Sequence, residues 1–225
     1  MDGTGTLFEP LVKALGSEFD VVIVRYPNTD PIGYSDLQVI ASAALPKEGP
    51  FVILGESFSG PIAISIAQTC SSRLKGIVLC CTFVRNPQPS FSILRSLIDL
   101  IPVKATPLNA LSFLLLGRSS TFELKSALAQ ALDKIDPAVI RARVKAVLAV
   151  DVSAQFLALK VPSLYLRALR DRVIPKAALE LVTNLSPRTE VVQLDAPHFL
   201  LQAVPAEAAR VISSFMRRVE FAVKP

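Results

Sequence analysis

Phe51-Val-Ile-Leu-Gly55-Glu-Ser57-Phe-Ser59-Gly60-Pro-Ile-Ala-Ile-Ser-Ile-Ala67 decides how the chain must fold. Four apolar residues closed by a glycine read as a buried strand, and the apolar run after Pro61 reads as a helix that starts within a few residues of it. Strand, tight turn and helix with a serine at the turn make a nucleophile elbow. Such a serine needs small residues two positions before and after it, because strand and helix approach closely there. Gly55 meets that need; at position 59 serine takes the usual glycine's place, and glycine follows at 60. The Ser57 oxygen would stand exposed, and the Phe58 amide at the helix start can donate to a developing oxyanion. The bare pattern G-x-S-x-S-G also arises by chance in loops; its position between an apolar strand and an apolar helix lifts it above that.

Working outward, short apolar runs rich in β-branched residues alternate with helix-like stretches, the pattern of an α/β protein whose mostly parallel sheet carries helices on both faces. Strands are expected at Val21 to Arg25, Phe51 to Leu54, Gly76 to Cys80, Ser163 to Arg167 and Glu190 to Leu194. Helices are expected at Phe8 to Leu15, Ser35 to Ala44, Ser59 to Thr69, Lys176 to Leu185 and Pro205 to Val219, where Pro205 suits a first helical position. Residues 86–160 break the rhythm and read as four successive helices. Ser90 caps one that stops before Pro102, and Thr106 with Pro107 opens another that ends at Gly117. Ser120 with Glu123 forms a capping box for the third, and Asp136 with Pro137 starts the fourth. The division is a core of 1–85 and 161–225 with a helical cap insertion at 86–160.

Two further residues complete a chemistry with Ser57. His198, in Leu194-Asp-Ala-Pro-His198-Phe-Leu, is the chain's single histidine and follows the last expected strand. A lone histidine is more often structural than catalytic, but any imidazole catalysis here must use it. Asp171 follows Ser163-Leu-Tyr-Leu-Arg-Ala-Leu-Arg just past a strand end, where an acid is commonly a turn former or a cap. The chain order serine, aspartate, histidine favours the other role, in which the carboxylate orients the base.

Other features bound the possibilities. Cys70, Cys80 and Cys81 are too few for a disulfide framework and read as packing residues; without CxxC and with one histidine, a zinc site is not expected. The net charge is +5, with the basic excess between Arg85 and Arg172. No aromatic and basic interleaving accompanies it, which argues against nucleic acid and for solvated helix faces. The apolar runs are far shorter than the roughly 20 residues of a membrane span, and Met-Asp-Gly-Thr-Gly-Thr is not a secretory signal, so a cytoplasmic location is expected.

Asp2-Gly-Thr-Gly5 with Leu7-Phe8-Glu-Pro-Leu, GESFSGPIA, RALRDRVIP and APHFLLQAVP together resemble a bacterial α/β-hydrolase of the carboxylesterase type over the whole chain, similar to pimeloyl-carrier methyl esterases and small carboxylesterases. The resemblance implies the α/β-hydrolase fold, ester hydrolysis through an acyl-enzyme, and no cofactor or metal. Ser57, His198 and Asp171 would be the catalytic triad. Phe58 would share the oxyanion with a backbone donor at Met1 or Asp2. The expected substrate is a small ester with a short or medium acyl chain, contacted by Phe83, Phe113 and Phe199. Phe91, Leu94, Leu97, Leu111, Leu114, Leu115 and Leu116 also offer apolar wall in the cap. An acidic partner, such as an acyl-carrier protein or an anionic lipid surface, is what the basic cap would recruit, with rates that fall as salt rises. The same triad serves thioester hydrolysis, acyl transfer and cofactor-free haloperoxidation, and a non-hydrolytic binding module could keep it.

In proteins of this kind a strand precedes the Asp-Gly-Thr-Gly loop and lies between the equivalents of Val21 to Arg25 and Phe51 to Leu54. Two outcomes are therefore expected: either Val21 to Arg25 moves inward to pair with Phe51 to Leu54, or a gap remains and the natural start lies upstream.

Overall fold

The computed structural model describes residues 1–70, 72–100 and 107–221, the side chains at 92–96, 100, 220 and 221 excepted. The expectations that fall on Pro102 and Thr106, and on the side chain of Leu94, lie outside the described residues. In chain order the elements are α1 (Glu9–Leu15), α2 (Tyr34–Ala43), β1 (Phe51–Glu56), α3 (Gly60–Thr69), β2 (Leu74–Cys80), α4 (Leu108–Leu115), α5 (Phe122–Asp133), α6 (Pro137–Ala149), α7 (Ser153–Leu157), β3 (Ser163–Ala168), α8 (Lys176–Leu185), β4 (Glu190–Leu194), α9 (Leu200–Ala203) and α10 (Pro205–Phe221).

The four strands pair in parallel in the order β1-β2-β3-β4. Side chains alternate between the two sides of a strand, and both sides of β2 are apolar, so β2 can be covered twice. Val78 and Cys80 join Leu164, Leu166 and Leu194 in one core against α1, α9 and α10. Ile77 and Leu79 join Tyr165 in another against α3, α7 and α8. A third cluster, Leu37, Ala41, Phe58, Ile62 and Ile66, locks α2 onto α3 behind the elbow.

Val21 to Arg25 is not a strand. Its composition suits one, but no backbone hydrogen bond among the described residues joins it to β1, and an unpaired segment gains nothing from β propensity. The inward movement does not occur. A cavity of about 230 Å³ lies between Val21, Val22, Ile23 and Val24 and the β1 residues Val52, Ile53 and Leu54. Val21 and Val22 are exposed. Among the described residues β1 has one strand neighbour, β2.

Among the described residues the elements between β2 and β3 are helical, with three departures from expectation. The stretch expected to form a helix from Ser90 forms 3₁₀ turns over Pro89–Leu100. The cap of α5 is Thr121, whose hydroxyl accepts the Leu124 amide at 3.2 Å, so the Ser120 and Glu123 capping box does not form. Thr121 wins because its oxygen reaches the third amide of the helix that follows it, the bond a cap must make. A short extra helix, α7, precedes β3. Asp136 does cap α6, accepting the Ala138 amide at 2.7 Å ahead of Pro137. Among the described residues no helix is long and apolar enough to cross a membrane.

Candidate functional site

Parallel strands bring their C-terminal ends to one edge of the sheet, and the loops that leave this edge carry Ser57, Asp171 and His198. At the end of β1 the backbone turns sharply. Ser57 has φ 50°, one of two non-glycine residues in the left-handed region among the described residues, the other being Cys81 at φ 45°. Such a backbone persists only where its surroundings hold it, and here the hold is visible. Thr82 Oγ1 donates to the Ser57 carbonyl at 2.5 Å. Thr82 is itself fixed by Tyr165, whose hydroxyl accepts the Thr82 amide at 3.1 Å and donates to the Thr82 carbonyl at 2.6 Å. Tyr34 donates to the Phe58 carbonyl at 3.1 Å and stacks on the Phe58 ring.

Ser57 Oγ lies 2.9 Å from His198 Nε2. On the other side of the imidazole, Nδ1 lies 3.0 Å and 3.1 Å from the two oxygens of Asp171. Asp171 Oδ1 also accepts the amides of Val173 and Ile174 at 2.8 and 2.9 Å. Burial alone would raise the Asp171 carboxyl, but the His198 hydrogen bond and charge, with those two amides, hold it below its ordinary value. An ionised Asp171 can only accept, so Nδ1 carries the proton and Nε2 is left to accept from the serine hydroxyl. Cys81 Sγ lies within 4.8 Å of the donor atoms of Asp171 and His198. Burial pushes the neighbouring Cys80 thiol well above its ordinary value.

The arrangement opens on a cavity of about 860 Å³. Ser57, His198, Phe199, Met1 and Asp2 line it, so the two expected loop donors share the cavity of the serine. Phe58 is buried at the start of the helical turn. Two of the three expected substrate contacts fail. Phe83 is 2% exposed and packs in the core against β2 and α3, because the chain turns inward after Cys81. Phe113 is 63% exposed, and its ring lies outside the cavity beneath the Arg172 guanidinium, 4.1 Å away. Leu111, Leu114 and Leu115 line the cavity; Leu116 is fully buried elsewhere, and Phe91 and Leu97 face outward. The loops that carry His198 and Asp171 are both tied to α4: the Phe199 amide donates to the Leu115 carbonyl at 3.0 Å, and Arg172 to the Phe113 carbonyl at 2.8 Å.

Sequence reading missed several residues here. Arg143 of α6 reads as one more cation on a solvated helix, yet it is fully buried. Its guanidinium donates to the carbonyls of Met1 and Pro27 at 2.5 and 2.6 Å, tying the first loop to the helices above the cavity. Arg143→Met would leave both carbonyls without their donor and free the loop. A displacement near 1 Å can cost about 100-fold in rate, so kcat/KM on an ester is expected to fall roughly 10- to 100-fold, with Arg143→Lys in between. Steady-state kinetics of the two variants check this.

Glu56, beside Ser57, is a second such residue. Gln202 Nε2 donates to its Oε2 at 3.1 Å, while Glu56 Oε1 and Gln202 Oε1 are buried without partners. Burial raises the carboxyl above its ordinary 4.5, against the opposing pull of Gln202 and His198. A carboxyl whose pKa is raised by folding binds more protons in the native than in the unfolded state, so its contribution weakens as pH climbs past the unfolded value. Glu56→Gln supplies an amide donor for the orphaned Gln202 oxygen and cannot ionise. Its melting temperature should match the parent's below pH 4.5 and exceed it by a few degrees at neutral pH. Equal melting temperatures at both would show that burial does not penalise the carboxylate.

Comparison with known proteins sets this geometry in context. A family model described as the alpha/beta hydrolase family matches residues 3–211. No curated protein matches the sequence. A hydrolase from Oleispira antarctica superposes with TM-score 0.81 at 16% identity, over 96% of this chain and 88% of that one. A thermophilic esterase from Thermogutta terrifontis gives TM-score 0.81 at 20% identity, over 96% and 86%. An enol-lactonase from Burkholderia xenovorans gives 0.78 at 18%, over 96% and 88%. At such identities the likeness is one of fold.

Proposed function

Because the chain belongs to the alpha/beta hydrolase family, we propose that it is a serine hydrolase of the carboxylesterase type, cleaving carboxylic esters through an acyl-enzyme on Ser57. The observation that carries this reading is the unbroken line of hydrogen bonds from Ser57 through His198 to Asp171. Ser57 Oγ attacks the ester carbonyl carbon while its proton passes to His198 Nε2. The charge that builds on the carbonyl oxygen is received by the Phe58 amide and by the loop at Met1 and Asp2. Collapse of the tetrahedral species breaks the bond to the alcohol, which takes the proton from His198. Water then repeats the sequence on the acyl-enzyme and regenerates the serine.

Residues 86–160 act as a cap in this reading, roofing the site with α4, α5 and α6. An acidic carrier protein delivering the ester to this basic segment is part of the same proposal, and it requires rates toward a carrier-linked ester that fall as salt is raised.

The test is labelling with a fluorophosphonate probe alongside turnover of p-nitrophenyl acetate. Covalent labelling that disappears in Ser57→Ala, together with turnover, supports the reading. A protein that neither labels nor turns over any ester is a binding module on the same fold.

A further inference from the structure

The cavity beside Ser57 states what kind of ester it is built for. Its volume of about 860 Å³ lies toward the top of the 300–1,000 Å³ common for small-molecule sites, and an acetyl group would leave most of it empty. Its polar wall gathers at one end. Glu56 precedes Ser57 in the chain, His198 Nε2 lies 2.9 Å from Ser57 Oγ, and Met1 and Asp2 line the same cavity. Much of the rest of the wall is apolar: Leu7 and Phe8, Leu111 and Leu115 of α4, Leu132 of α5 and Ile140 of α6, with the Tyr26 ring among them. Asp133, exposed at the end of α5, is the remaining charge. Among the described residues the wall has no lysine or arginine, and Asp133 would repel an anionic group at the far end of a substrate.

We propose that the substrate carries a long, unbranched, electrically neutral hydrocarbon chain on its acyl side, laid along this leucine-rich wall beneath α4, α5 and α6. This rests on the esterase reading. The acyl side is assigned because the alcohol must leave after the first step, whereas the acyl group stays on Ser57 until water arrives and profits from a wall that holds it. Burial of each methylene is worth about 0.8 kcal/mol, or about fourfold in an equilibrium. The value of kcat/KM should therefore rise by about two- to fourfold per methylene until the cavity is filled.

The experiment is a series of p-nitrophenyl esters from two to sixteen carbons, held below their micellar concentrations. It is run beside a series of alkyl acetates and a ten-carbon acyl ester that ends in a carboxylate. The expected result is a steep rise to an optimum at eight carbons or more in the acyl series, a flat alkyl acetate series, and at least a tenfold penalty for the terminal carboxylate. Leu111→Trp, which narrows the cavity from α4, should lower the ratio of decanoate to acetate activity at least tenfold, and Leu132→Phe does the same from α5 should the first variant fold poorly. Turnover with a flat or falling acyl profile, a rise confined to the alkyl series, or a preference for the carboxylate-ended ester overturns this inference and leaves the esterase reading standing. Absence of both turnover and fluorophosphonate labelling overturns the esterase reading itself.

Discussion

Ser57→Ala and His198→Ala are each expected to lower kcat on a simple ester by about 10⁴-fold or more, because the members of such a triad act as one unit. His198 is the chain's one histidine, so no second imidazole can substitute for it. Asp171→Asn should cost roughly 10³- to 10⁴-fold, and the structure says why. The amides of Val173 and Ile174 both donate to Asp171 Oδ1, so an asparagine would keep its oxygen there and turn its NH₂ group toward the imidazole. Nδ1 would then have to accept, Nε2 would carry the proton, and the serine hydroxyl would lose its acceptor. Steady-state kinetics with circular dichroism of each variant separate lost chemistry from lost folding. A His198 variant with near-parental activity would be fatal to the proposed mechanism.

Gly60→Val is expected to destabilise the protein by about 3 kcal/mol, the upper part of the range for overpacking, and to lower the melting temperature by roughly 6–12 °C. A Cβ on Gly60 would overlap Thr82 Oγ1 and lie 2.7 Å from Thr82 Cβ and Cγ2. Thr82 cannot swing aside, since Tyr165 holds its amide and carbonyl, and its hydroxyl holds the carbonyl of Ser57. Removing the obstacle with Thr82→Gly in the Gly60→Ala background should recover part of the stability lost in Gly60→Ala alone. Calorimetry of the single and double variants measures the coupling. No coupling would mean that α3 shifts bodily to make room.

These contacts also show what sequence could and could not convey. Phe51 to Leu54, Ser163 to Arg167 and Glu190 to Leu194 were legible as strands because their apolar pattern is local, and each of them pairs. Val21 to Arg25 has an equally suitable composition, yet a strand exists only with a partner, and partnership is not a local property. Gly60 was quoted as a displaced motif glycine, but its steric reason lies in Thr82, twenty-two residues on. The order of Ser57, Asp171 and His198 pointed to their meeting. Nothing in the run of Arg141, Arg143 and Lys145 distinguishes the one arginine that turns inward. Phe83 and Phe113 illustrate the opposite error: an aromatic near a site in sequence carries no sign of which way it faces.

The three residues of the proposed triad hang from strands of unequal standing. Asp171 follows β3, which is flanked on both sides, while Ser57 follows β1 and His198 follows β4, the two outermost strands among the described residues. Outer strands open by local fluctuation at a lower free energy than the centre, and in β1 the side away from β2 is bordered by an apolar cavity rather than by another strand. The machinery therefore spans the two parts of the sheet most prone to fray. As urea is raised, catalysis should fade before the helical signal does, and amide hydrogens of β1 should exchange sooner than those of β2. Inactivation in this molecule is then a separate event from unfolding, with its own midpoint.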